Sequence, residues 1–67
     1  MTTMELRNHL IELEAERAVA IAAGVATLEL YMNDLEQEIT TTREAYVASV
    51  VTEIASFRSE LSGPQVG

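Results

Sequence analysis

The chain has 67 residues, with eleven acidic side chains, four arginines, no lysine, one histidine and no cysteine, for a net charge of −7. This excludes disulfide staples and thiolate metal sites, and it is a poor footing for nucleic-acid phosphate or an anionic bilayer, both of which need cationic contacts. A chain this short buries only about 60% of its unfolded surface, so self-association is the expected source of the missing stability.

Residues 1–3 read as an N-terminal cap. Thr2-Thr3-Met4-Glu5 is a capping box, with Thr2 as N-cap and Glu5 at the position that reaches back. Ala, Leu and Glu then dominate, Pro occurs only at position 64, and Gly24 is the only glycine before residue 60. This scarcity of breakers predicts an all-α chain.

A first, long helix is expected over about residues 4–39. Gly24 lies within it without Asn, Asp, Ser or Pro at its side to make a turn, at a cost of about 1 kcal/mol. Its opening carries Leu6, Leu10 and Leu13 one turn apart, with Arg17 continuing the same line. Ile21, Val25, Leu28, Met32, Leu35 and Ile39 follow at spacings of 4, 3, 4, 3 and 4, a coiled-coil-like stripe. Between the two runs lies Ala18 to Ala26, AVAIAAGVA, nine residues without a polar side chain. It is too short to cross a bilayer, which takes about twenty residues. Glutamates 12, 14 and 16 stand where a secretory signal would be positive, so a cytoplasmic protein is expected. Apolar in every direction around a helix, this stretch predicts burial on all sides. Ala15, Ala18, Ala22 and Ala26, at spacings of 3, 4 and 4, would let a second backbone approach closely.

A turn is expected at about residues 40–42, where three β-branched threonines disfavour helix and Thr41-x-x-Glu44 offers a second capping box. A shorter second helix, about residues 42–61, carries Tyr46, Val50, Ile54, Phe57 and Leu61, flanked by Val47 and Val51. On this register Phe57 lies beside Gly24 and Tyr46 beside Leu35. Gly63 and Pro64 would stop the helix, and residues 63–67 form a disordered tail.

Together these elements predict a helical hairpin, with a long helix 1 and a shorter helix 2, assembling as a homodimeric four-helix bundle. The oligomer interface would be Leu6, Leu10, Leu13, Arg17, Ala18, Ile21, Ala22, Val25 and Ala26. Arg17, at the centre of the leucine line, would either lay its stem over apolar surface or reach a carboxylate across that interface and fix its register. The partner classes are a second copy, as dimer or tetramer, and a basic protein. Neither nucleic acid nor membrane fits the charge, and no cofactor is implied.

Chemistry-bearing groups are few. His9 shares one side of helix 1 with Glu5, Glu12 and Glu16, a weak oxygen/nitrogen metal set. The order His9-x-x-Glu12 reverses the Glu-x-x-His of di-iron bundles, and a solvated acidic face accounts for it as well. The sequence holds no nucleophile–base set, phosphate loop or basic stripe, so the expected function is non-enzymatic: a small acidic adaptor, assembly or regulatory module. A nucleic-acid mimic or antitoxin-like inhibitor, and a carboxylate-rich metal bundle, are the alternative classes.

Overall fold

A computed structural model describes residues 1–61 of the chain. The described residues are helical, without strands: α1 spans Thr3–Ala22, a single 3-10 turn spans Val25–Thr27, and α2 spans Glu29–Leu61. The two helices lie against each other as a hairpin in a rod of 65 × 16 × 15 Å.

Thr2 caps the N-terminus of α1 as expected, with its hydroxyl and not its backbone N–H meeting the Glu5 carboxylate. The Thr2 hydroxyl accepts a hydrogen bond from the Glu5 backbone N–H at 3.1 Å and donates to Glu5 Oε1 at 3.0 Å. One of the orphan donors of the first turn is thereby satisfied, and the Glu5 charge sits at the positive end of the helix.

The chain reverses at Gly24, not at the threonines. Ala23 caps α1, Gly24 takes the left-handed conformation at φ +80°, and its N–H donates to the Ile21 carbonyl at 3.2 Å. This is a glycine C′ stop, which requires only a residue without a Cβ penalty. The 3-10 turn follows, with Leu28 N–H donating to Val25 O and Thr27 Oγ1 to Gly24 O, and α2 then starts. The expected helix over 4–39 is therefore two elements, and the expected order of lengths is inverted: the first helix has 20 residues and the second 33.

Residues 40–42 lie inside α2. Three threonines cost at most about 2 kcal/mol of helix propensity, and the tertiary contact outweighs it. Ile39 and Thr42 are both buried on the side that faces α1. A break there would remove Ile39 and Thr42 from one continuous packing surface. The expected stop at Gly63 and Pro64 and the expected tail over residues 63–67 lie outside the described residues.

The core is thin. Leu13 of α1 packs with Leu35 and Ile39 of α2, and Leu10 closes the cluster from one side. Ala20 and Met32 are the other buried apolar residues, near the turn. Leu6, Leu10, Leu13 and Ala20 thus face Met32, Leu35, Ile39, Thr42 and Tyr46, matched in reverse order about Gly24. The expected neighbours, Phe57 with Gly24 and Tyr46 with Leu35, do not occur, because moving the turn by sixteen residues moves the register with it.

Candidate functional site

With the turn at Gly24, α1 covers only part of α2. Its first residue, Thr3, meets α2 at Ser49 and Glu53: the Thr3 and Ser49 hydroxyls are hydrogen-bonded, and Thr3 Oγ1 donates to Glu53 Oε1 at 2.6 Å. Residues 54–61 run on past this point as an arm of about 12 Å, all of them exposed and without a packing partner among the described residues. The uncovered arm thus belongs to the C-terminal helix, not to residues 4–18. Leu6 and Leu10 are half-buried and Leu13 buried because α2 lies over them.

Polar side-chain pairs line both flanks of the hairpin. On one side Arg43 Nη2 donates to Glu14 Oε1 at 2.8 Å and Arg17 Nε to Glu36 Oε1 at 3.3 Å. These four side chains, with Ile39 and Thr40, line a groove of about 360 Å³. On the other side His9 Nε2 lies 3.1 Å from Glu38 Oε1, and the Tyr31 hydroxyl donates to Glu16 Oε1 at 2.8 Å. All are solvent-accessible pairs, worth up to about 1 kcal/mol each. The Glu16 carboxylate raises the Tyr31 hydroxyl above its ordinary value, by accepting its hydrogen bond, then by partial desolvation, then by repelling the phenolate.

The expected interface residues separate. Leu6, Leu10 and Leu13 serve the intrachain core. Arg17 pairs with Glu36 of its own chain, because α2 passes close enough to offer a carboxylate first. Ala18, Ile21, Ala22 and Ala26 are exposed at the turn end, and Val25 is half-buried in the 3-10 segment. The stretch expected to be enclosed on every side is instead the tip of the rod, and within this single chain Val19, Ile21, Leu28 and Leu30 stand in solvent there.

The four metal candidates do not converge. Glu5 is held by Thr2, Glu16 by Tyr31, and His9 faces Glu38, while Glu12 lies apart. Among the described residues no three His or carboxylate side chains come together as a ligand set.

The uncovered C-terminal arm of α2 is not among the features the sequence predicts. Val51, Ile54, Phe57 and Leu61 are all about half-exposed or more, with Phe57 at 60%. Val50, Ile54, Phe57 and Leu61, with Glu53 and Arg58, line one open apolar face. Its signal was present in the 3-4-3-4 spacing from Val47 to Leu61, but the misplaced turn gave that stripe a partner it does not have. Among the described residues no helix is long and apolar enough to cross a membrane.

No family model matches. Curated proteins and solved structures likewise give no match to this chain. The functional reading therefore rests on the surface itself.

Proposed function

We propose that the protein is a small helical interaction module that works as a homo-oligomer and offers an acidic surface to a basic partner protein. One observation supports it above the others: the hairpin buries five apolar side chains but leaves large apolar residues exposed at both ends of the rod. Leu28 and Leu30 stand at the tip, and Ile54, Phe57 and Leu61 on the arm. Exposed apolar clusters of this kind mark association surfaces. A hairpin with so thin a core also gains from covering them, since stability then includes the contact between copies. The four-helix bundle expected from the sequence remains one form that such an assembly would take.

The acidic surface follows from a net charge of −7 in which only four arginines offset eleven carboxylates. Two of those arginines, Arg17 and Arg43, are engaged within the hairpin. A basic partner would be drawn by long-range attraction, and the complex would weaken as salt rises.

Sedimentation equilibrium over a wide concentration range tests the central element. The expected mass is at least twice the 7.3 kDa of the chain. A single-chain mass throughout, up to millimolar protein, overturns the reading.

A further inference from the structure

An apolar stripe that continues into the arm runs Val47, Val50, Ile54, Phe57, Leu61, in steps of 3, 4, 3 and 4, with Val50 half-buried and the others exposed. This is heptad spacing, with Val47, Ile54 and Leu61 at a and Val50 and Phe57 at d. At about 100° per residue its centre lies about 70° around α2 from the line of Leu35, Ile39, Thr42 and Tyr46 that α1 covers. The first helix therefore flanks this seam without filling it. Toward the turn the same a and d positions are Asn33, Glu36, Thr40 and Arg43, all polar, so the apolar seam is confined to residues 47–61.

We infer that this arm is the self-association seam, two copies of the chain pairing in parallel and in register through Val47, Val50, Ile54, Phe57 and Leu61. The inference rests on the homo-oligomeric reading above and adds its location and polarity. Charge fixes the polarity. Glu53 occupies g and Arg58 the following e. Parallel helices bring g of one chain beside e of the next heptad on the other, so Glu53 meets Arg58 of the second copy twice by symmetry. Antiparallel helices bring g beside g, setting Glu53 against Glu60 of the second copy. Arg58 makes no ion pair among the described residues, so it is available for this role. Above Val47 the polar a and d positions make the two rods part. About two heptads of contact give a weak, concentration-dependent dimer.

Sedimentation equilibrium on single variants tests this, with helix content by circular dichroism confirming that each variant folds. Phe57→Glu is expected to return the chain to a single-copy mass, while Leu30→Glu at the opposite tip leaves the dimer intact. Arg58→Glu and Glu53→Arg each weaken the dimer about ten-fold, and combining them restores it. Because Glu53 also holds Thr3, Arg58→Glu is the cleaner arm. The native chain has no cysteine, so Leu61→Cys under mild oxidation is expected to form a disulfide-linked dimer, as only a parallel pair places these positions together. A dimer that survives Phe57→Glu but not Leu30→Glu overturns the arm seam and leaves self-association standing. Tightening by Glu53→Arg, with no Leu61→Cys cross-link, overturns the parallel polarity. A single-copy mass for the unaltered chain overturns both this and the reading beneath it.

Discussion

Replacing Leu13 by Ala asks the sharpest question of this fold, since its effect depends on where the chain turns. Leu13 is 5% exposed and sits at the centre of the cluster with Leu35, Ile39 and Leu10. Buried Leu→Ala changes cost about 2.7–5 kcal/mol in large cores, with the spread set by how far the site collapses around the void. Here one layer of side chains separates two helices with solvent on both flanks, so collapse is easy and the low end applies, about 2–3 kcal/mol. Against the roughly 3–10 kcal/mol expected for 67 residues, that is a large share of the whole. The control is Leu30→Ala, at a position 83% exposed, with an expected change below about 0.5 kcal/mol. Urea unfolding followed by circular dichroism reads both, at one fixed protein concentration because association adds to apparent stability. Were the turn at residues 40–42, Leu13 would lie on an uncovered arm and its truncation would be nearly neutral. Equal midpoints for the two variants would therefore refute the hairpin about Gly24.

The turn itself gives a paired prediction. Gly24→Ala meets no atom within 4 Å of its new Cβ, so its cost is the left-handed backbone alone, about 1–2 kcal/mol. Thr41→Pro, in mid-helix, costs about 3 kcal/mol or more and abolishes the cooperative transition, whereas a real loop there would tolerate it. Tyr31 titrates above its ordinary value of 10.0, so its contribution to stability is complete below about pH 10 and is lost as pH rises through the folded-state value. In a Tyr46→Phe background, absorbance titration should show Glu16→Gln moving the Tyr31 midpoint down. An unmoved midpoint would dissociate the hydroxyl from that carboxylate.

The helical class of the chain was legible because it is a sum: few breakers, many Ala, Leu and Glu, and a start signal at Thr2 that reads locally. The turn was not, because its competing signals differ in kind. Thr40, Thr41 and Thr42 resemble a break in propensity, but packing of Ile39 and Thr42 on α1 overrides a small local cost. Gly24 resembles a tolerated interior glycine, since a left-handed C′ residue needs no polar companion to announce it. What distinguishes them is tertiary: only a reversal at Gly24 sets Leu6, Leu10 and Leu13 opposite Tyr46, Ile39 and Leu35. The same shift explains the interface residues. Arg17 meets the carboxylate of Glu36 within its own chain, a partner that only the reversal at Gly24 brings near it. The breadth of apolar surface around residues 18–30 was legible as well. Within one chain these side chains splay about the tip, an arrangement that looks the same in sequence as side chains enclosed in a bundle.

The alternation of charge along one flank has a further effect. A slide of α2 by seven residues in one direction would set Leu28, Met32, Leu35 and Ile39 against the leucines of α1, so oiliness alone does little to forbid it. The other direction brings Thr42, Tyr46, Ser49 and Glu53 there. Sliding one way sets Arg17 against Arg43, and sliding the other sets Glu14 against Glu36. Two modest surface contacts thus act as the teeth of a ratchet, contributing little to the depth of the native well while raising the floor of its nearest competitors.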